Sequence, residues 1–393
     1  MPLYPTQDPV LTFGLGTRQA PVDVELRQIV TLVNTSNHKQ HFRFCPAADP
    51  KCSLSVEPRE GRIDPGKDAC VVVTATVLCT ARFRLELPLV AWRHRGRGMA
   101  RAAFVCDIES QLTTKLDPDE LALHTPPVGE GSFGTTYRGE YRGTDVAIKV
   151  IKYQNEITPR MVADFKKETD MLEKLRHPCI IGFIGAVHTP RLFAIVTEFA
   201  EFGSLSAVVK RGSLTYAQKL KALLDISRGM RYIHNSGIIH RDLKPDNVLV
   251  VSMEASSSVM CKLSDFGSTR DVNKFSPDLA LTRGVGTPIF MAPELLAGKS
   301  DYRKSADVYS FAMSMVNVIS GKLPFEGEPL SAPWYQCVLS GVRPEMVGCC
   351  VPDDYMTLVR MCWAANPDER PEFDFVVRAI NEMFRKEVSN FKK

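Results

Sequence analysis

Short runs in which apolar and polar residues alternate fill the first hundred or so positions, among them CSLSV (52–56), VVVTATVLC (71–79) and FRLELPLV (83–90). A period of two is the signature of a strand with one face buried. Turn-forming clusters separate the runs: NTSN at 34–37, EPREG at 57–61 and DPGK at 64–67. That spacing predicts an all-β sandwich of about a hundred residues. The pattern changes near residue 110. ESQLTTKLDPDELALHTPP (109–127) is polar and carries prolines, so it reads as a linker with a short helical turn around Asp119–Leu121. Alternation returns in TTYRGEYRGTDVAIKVI (135–151), which predicts two antiparallel strands joined at Arg142-Gly143. In MVADFKKETDMLEKLRHP (161–178) the spacing becomes helical. Met161, Phe165, Leu172 and Leu175 share one face with Glu168, while Glu173 falls off it.

Composition narrows the possibilities. With 393 residues, 44% hydrophobic and 24% charged, the chain has room for two or three packed cores. A net charge of +4 is far from the footprint of a nucleic-acid binder, so no nucleic acid is expected among the partners. MPLYPTQDPV lacks a secretory pattern and no run is apolar enough to cross a bilayer, which predicts a cytoplasmic protein without a transmembrane segment. The 11 cysteines include one close pair, the adjacent Cys349-Cys350, and read as reduced, mostly buried thiols rather than a zinc knuckle. Asn34-Thr35-Ser36 matches a glycosylation acceptor but reads as a turn. AWRHRGRGMAR (91–101), with four arginines, reads as a solvated hairpin tip between strands ending near Trp92 and starting near Ala102, in preference to an anionic-partner site.

Chemistry gathers after the linker. GEGSFGTTYRG (129–139) spaces Gly129, Gly131 and Gly134 so that backbone N–H groups can approach phosphate, and the strands that follow make it a hairpin lid rather than a dinucleotide-binding turn. Lys149 ends VAIK within an apolar strand. Its ammonium therefore needs anions, a phosphate and a carboxylate, and Glu168 is the candidate. HRDLKPDN (240–247) crowds Asp242, Lys244 and Asn247 on one loop. Asp242 can accept or orient a hydroxyl proton, Lys244 can neutralise a transferring phosphoryl group, and Asn247 can hold magnesium. KLSDFG (262–267) adds Asp265 as a second metal ligand, with Gly267 allowing a sharp exit. Taken singly these are turn residues or surface acids. As an ordered set they point to phosphoryl transfer.

That set resembles a eukaryotic protein kinase domain over about residues 120 to 387. The resemblance implies domains at 1–108 (β-sandwich), 109–122 (linker) and 123–387 (kinase). The expected fold class is multidomain: an N-terminal all-β immunoglobulin-like sandwich plus a bilobal α+β protein kinase fold. It implies ATP under a loop of Val128, Gly129, Glu130, Gly131, Ser132, Phe133, Gly134, Thr135 and Thr136, with Ala147, Lys149, Thr197, Glu198, Ala200 and Leu249 completing the nucleotide site. Mg2+ would sit on Asn247 and Asp265. Phe183, Leu172, Phe266 and His240 match the hydrophobic column that such kinases align when active. GTPIFMAPE (286–294) resembles the substrate-docking segment, with Glu294 expected to pair with Arg370 and Asp307 to brace the catalytic loop. Ser276 and Thr282 are candidate phosphate acceptors, with Arg241 available to bind the phosphate. Thr136 departs from the usual valine and brings a hydroxyl to the roof over adenine.

Lys244 together with Thr287 resembles the arrangement of kinases acting on serine and threonine, so Ser/Thr-bearing proteins are the expected substrates. Dual-specificity or tyrosine activity is the alternative, as is a pseudokinase scaffold using the β-sandwich as its partner-binding module. GEGSFGTTYRGEYRGTDVAIKVIK and HPCIIGFIGAV are similar to the tyrosine-kinase-like group. SVEPREGRIDPGKDACVVVTATV (55–77) resembles immunoglobulin-like domains related to major sperm protein, in which a proline-glycine corner precedes a long strand. The partner of such a domain is not named by the sequence.

Overall fold

The computed structural model describes residues 3–5, 9–14, 19–93, 99–131, 134–151, 158–189, 192–267, 270–271, 288–298, 303–330, 332–345 and 351–390. Contacts divide the chain into two compact units, residues 1–165 with 183–199, and residues 166–182 with 200–393. The first unit opens with strands β1 (Leu3–Pro5), β2 (Val10–Phe13), β3 (Glu25–Asn34), β4 (Gln40–Phe44), β5 (Cys52–Glu57), β6 (Glu60–Ile63), β7 (Asp68–Val77), β8 (Arg82–Arg93) and β9 (Ala100–Glu109). They form two sheets, ordered β1-β3-β7-β5 and β2-β9-β8-β4-β6. One core serves both: Leu32, Val71, Val73 and Ala75 from the first sheet meet Phe42, Phe44, Leu87, Leu89 and Phe104 from the second. Alternating burial along β7 and β8 is what the sequence pattern requires when only one face of a strand is covered.

The runs read as strands at 52–56, 71–79 and 83–90 fall on β5, β7 and β8, with β7 starting earlier and β8 running longer. Turn chemistry acts where expected. Asn34 is buried, donates to the carbonyls of His38 and Ile63, and accepts from the Ser36 backbone and hydroxyl, so the acceptor-like triplet is a turn anchored in the core. The arginine-rich tip joins β8 to β9, and residues 94–98 lie outside the described residues. Every described cysteine is free, and only Cys45 and Cys70 are exposed.

The linker makes a 3-10 turn at Pro118–Glu120, capped by the Asp117 side chain accepting from Asp119 N. A second sheet system follows, from β10 (Leu121–Gly131), β11 (Gly134–Tyr141), β12 (Thr144–Ile151), β13 (Phe183–Thr189) and β14 (Leu192–Glu198), ordered β10-β11-β12-β14-β13. Arg142 and Gly143 both take positive φ, 50° and 77°, closing the two-residue hairpin anticipated between β11 and β12. Val146, Ile148, Ala194 and Val196 cover one face of this sheet with Val187, Leu116 and Leu121. Ala147, Lys149 and Thr197 alternate with them and so occupy the other face. Helix α1 (Pro159–Lys174) begins in this unit, where Phe165 meets Phe193 edge-on at 5.2 Å.

The second unit is mainly helical: α2 (Leu205–Lys210), α3 (Tyr216–Asn235), α4 (Pro293–Leu296), α5 (Lys304–Ser320), α6 (Trp334–Leu339), α7 (Asp353–Cys362) and α8 (Phe373–Asn390). Two small hairpin-like pairs lie among them, β15 (Ile238–Ile239) with β18 (Arg270–Asp271), and β16 (Val248–Val250) with β17 (Cys261–Leu263). Thr215 and Gln218 form a reciprocal capping box at the start of α3. Helix α5 is buried along its whole length from Ala306 to Ile319 and stops at Gly321 with φ 77°. Between α3 and β17, the buried Lys221 Nζ binds both oxygens of Asp225 at 2.7 Å and the Ser258 carbonyl, while Asp225 accepts from Met260 N at 2.7 Å and Cys261 N at 3.4 Å. No described helix is long and apolar enough to cross a membrane.

Phe44 has no solvent exposure and packs against the rings of Phe42 and Phe104. Phe44→Ala should cost about 3–5 kcal/mol of stability, read as a lowered urea midpoint. An unchanged midpoint would mean that the two sheets do not share this core.

Candidate active site

The loop after β15 is built on a strained backbone. Arg241 has φ 73°, a left-handed conformation that costs a bulky residue about 1–2 kcal/mol. Asp307, fully buried on α5, holds it there: Oδ2 accepts from His240 N at 2.8 Å, Oδ1 from Arg241 N at 2.9 Å, and His234 Nε2 lies 2.8 Å from Oδ2. Burial alone would raise the Asp307 pKa. The hydrogen bond and charge of His234, with the other donors, outweigh it and hold the carboxyl below its usual range.

On this brace the side chains of Lys244 and Asn247 converge on Asp242. Lys244 Nζ sits 2.8 Å from Asp242 Oδ2, and Asn247 Nδ2 donates to the same oxygen at 2.9 Å and to the Asp242 carbonyl at 2.7 Å. With its amide nitrogen committed to Asp242, Asn247 turns its Oδ1 the other way. The β16–β17 pair then brings the next segment alongside. Ser264 donates from both N and Oγ to the Asn247 carbonyl at 2.9 and 3.0 Å, which carries Asp265 in beside Asn247. Asp265 takes φ 56°, and buried Phe266 packs on His240 with ring centroids 5.4 Å apart. A Cβ on Gly267 would stand 3.3 Å from Glu168 Oε2 and 3.4 Å from Asp265 Oδ1, so Glu168 lies at this turn. In the second unit, therefore, Lys244 and Asn247 meet on Asp242, while Glu168 and Asp265 both approach Gly267.

A hard divalent cation fits the donors present. Asn247 and Asp265 offer amide and carboxylate oxygens, and no three His, Cys, Asp or Glu converge among the described residues, so such an ion would draw the rest of its shell from water and phosphate.

In the first unit, Gly129, Glu130 and Gly131 on β10 pair with Thr136, Thr135 and Gly134 on β11, making the glycine segment a hairpin. Ser132 and Phe133, at its tip, lie outside the described residues. A Cβ at Gly134 would fall 2.5 Å from the Val150 carbonyl, so the strands' approach excludes any other residue there. Thr136 pairs with Lys149, and Ala147 with Thr197, putting these four in adjacent rows. Val128 is 57% exposed, and Glu198 ends β14 opposite Val146. Phe183 also belongs to this unit, whereas Ala200 and Leu249 belong to the second, where Leu249 bridges to Ser204. Ser276, Thr282 and Thr287 lie outside the described residues.

The expected Glu294–Arg370 pair is made in bidentate form at 2.7 and 2.9 Å. Arg370 has no side-chain exposure, also donates to the Ala364 and Ser305 carbonyls, and lies over the Tyr309 ring. Sequence reasoning missed His234. Its only signal is a position four residues after the apolar Met230, on the buried side of α3.

The second unit holds an acid, a lysine and an amide beside an Asp-Phe-Gly turn, and the first unit holds the glycine hairpin. The chain belongs to the protein tyrosine and serine/threonine kinase family, which its residues 124–380 match. It is 32% identical over 383 residues to the probable serine/threonine-protein kinase gdt4 of Dictyostelium discoideum, covering 96% of this chain and 23% of that protein. Similarity to the serine/threonine-protein kinase VIK of Arabidopsis thaliana is 36% over 283 residues, 70% of this chain and 63% of that one. The chain thus spans less than a quarter of the Dictyostelium relative. The family in general uses ATP and a divalent cation.

Two measurements test this construction. Glu294→Gln leaves the Arg370 charge buried and half-paired, and should lower stability by about 3 kcal/mol in urea titration. Burial pushes the His240 pKa below its ordinary 6.5, against the pull of Asp307, Asp242 and Asp265. The unfolded chain then takes up a proton that the folded chain refuses, so thermal stability should be level above about pH 6.5 and fall as pH drops below it. His240→Phe should flatten that slope, and equal slopes would refute the buried neutral imidazole.

Proposed function

We propose that the protein is an ATP- and Mg2+-dependent kinase that transfers the γ-phosphoryl group to serine and threonine hydroxyls of protein substrates in intracellular signalling. The observation that carries this reading is that Lys244 and Asn247 both lie within 2.9 Å of Asp242 Oδ2, while Ser264 bonds the Asn247 carbonyl immediately before Asp265. Asp242 orients the attacking hydroxyl and accepts its proton, Lys244 offsets charge on the moving phosphoryl group, and Asn247 with Asp265 holds Mg2+. Lys149, paired with Glu168, binds the nucleotide phosphates. The glycine hairpin from Val128 to Thr136 covers them, and Ala147, Thr197, Glu198, Ala200 and Leu249 surround the adenine. Ser276 and Thr282 are candidate activating phosphorylation sites, read by Arg241.

The proposal extends to organisation. Its domains run 1–108, 109–122 and 123–387, the catalytic part is of the tyrosine-kinase-like group, and the protein works in the cytoplasm. Residues 1–108 form an immunoglobulin-like sandwich related to major sperm protein that recruits a protein partner. What supports the sandwich is the Asp64–Lys67 turn, with Gly66 at φ 67°, leading into the ten-residue β7 in one of two sheets that share a core.

Transfer of radiolabelled phosphate to a mixed peptide library, followed by phosphoamino-acid analysis, should yield phosphoserine and phosphothreonine. Phosphotyrosine would favour the tyrosine-specific alternative, and ATP binding without transfer would favour a scaffold. Asp242→Asn should reduce kcat by at least about a hundredfold while sparing ATP affinity, and Lys149→Met should also disable transfer. Turnover equal to the parent in either variant would overturn the assigned roles.

A further inference from the structure

The linker, polar in sequence, is packed as part of the small sheet. Strand β13 is an edge of the five-stranded sheet, and residues 114–116 run along it: Ala186 N donates to the Thr114 carbonyl at 2.7 Å and Leu116 N to the Ala186 carbonyl at 2.9 Å. These bonds close an edge whose backbone groups would otherwise face water. Gly185 marks the crossing, since a Cβ there would run into the Thr114 carbonyl and the Leu116 side chain. Leu116 and Leu121 are buried in one cluster with Val146, Ile148, Val187, Ala194 and Val196.

From the other side the β domain grips the same segment. Thr80 N donates to the Lys115 carbonyl at 2.8 Å, Thr113 N donates to Thr80 Oγ1 at 2.8 Å, and Lys115 pairs with Asp23. Lys51, on the β domain, binds Asp117 at 2.9 Å and Asp119 at 2.5 Å. Exposed ion pairs contribute little, but the Lys51 and Asp117 side chains are only 13% and 9% exposed. Burial works against the Lys51 charge, yet the hydrogen bonds to Asp119 and Asp117 outweigh it and hold the ammonium above its usual range. A half-buried lysine held by two carboxylates fixes the linker in one place, which a flexible tether would not need.

The packing then leads to the candidate site. Val146 and Ile148, covered by Leu116, alternate along β12 with Ala147 and Lys149 on its opposite face. We propose that residues 113–116 are a structural strand of the small sheet, and that Lys51 and Leu116 are positioning residues that set the nucleotide-facing side of β12 from behind. The β domain is thereby a brace on the catalytic sheet. The positioning half of this inference rests on the kinase reading above, through Lys149, and the strand half does not.

The test uses the full chain and three variants: Lys51→Met, Lys51→Arg and Gly185→Ala. In the parent, the amides of Leu116 and Ala186 should be protected from hydrogen exchange to the level of the sheet interior. Lys51→Met and Gly185→Ala should each speed exchange at both amides and raise KM for ATP about five- to tenfold with kcat nearly unchanged, and Lys51→Arg should restore both readouts. Gly185→Ala leaves the ion pair intact, so it stands as a second probe if Lys51→Met does not fold. Fast exchange at both amides in the parent would overturn the strand. Loosened linker amides with unaltered ATP affinity would overturn the positioning role. If the parent binds ATP without transferring phosphate, its dissociation constant replaces KM and the kinase reading alone fails. A parent that binds no ATP removes the positioning role with that reading, while exchange at the two amides still decides the strand.

Discussion

Asp307 carries its carboxylate on a helix with no access to water, and it accepts hydrogen bonds from the backbone of His240 and Arg241 while contacting His234. Stripping a carboxylate of water costs several kcal/mol unless donors replace the lost hydration. Here the donors are the loop itself. The loop therefore has one backbone shape available to it, and the left-handed Arg241 is tolerated because a neighbour over-determines it. The positions of Asp242, Lys244 and Asn247 all descend from that constraint. The arrangement of the loop's side chains is thus set by a residue that lies outside the loop.

The same logic recurs around Arg370. Its guanidinium meets Glu294 in parallel bonds, reaches two carbonyls and lies across the Tyr309 ring. A buried ion pair of this kind is a poor source of net stability, because desolvation consumes most of the attraction. Its physical effect is geometric: it admits one arrangement of α4 against the segment before α8. Helix α5 links the two buried centres, presenting Asp307 to the loop and, two residues on in the same turn, Tyr309 to Arg370.

Local chemistry was legible in the sequence, and long-range partnership only where the kinase resemblance supplied it, as for Glu294 with Arg370. The hairpin at Arg142-Gly143 could be read because its two residues declare the turn by themselves, and β5, β7 and β8 because period-two burial spans only a few positions. The Pro118–Glu120 turn was equally plain, yet nothing in the linker announced that Leu116 would be buried, since one leucine among polar residues has no periodicity. The short parallel strand β2 escaped for a similar reason. Its partner β9 is about a hundred residues away, and four residues carry too little pattern. At the site, Asp242, Lys244 and Asn247 stood out because they lie within six positions. The contact of His234 with Asp307 spans 73 residues and left no local mark.

Lys221 and Asp225 fasten a neighbouring piece of chain in a way that separates two lengths of it. Asp225 fixes the amides of Met260 and Cys261 at the root of β17, and Lys221 holds the Ser258 carbonyl. The excursion from Met253 to Ser257 leaves and returns between anchored points, with Glu254 and Ser256 on the surface. Cargo grafted at its crest, such as a fluorophore or a short epitope, would be insulated from Asp265. That makes this bend a natural handle for reporters that must not disturb what they report on.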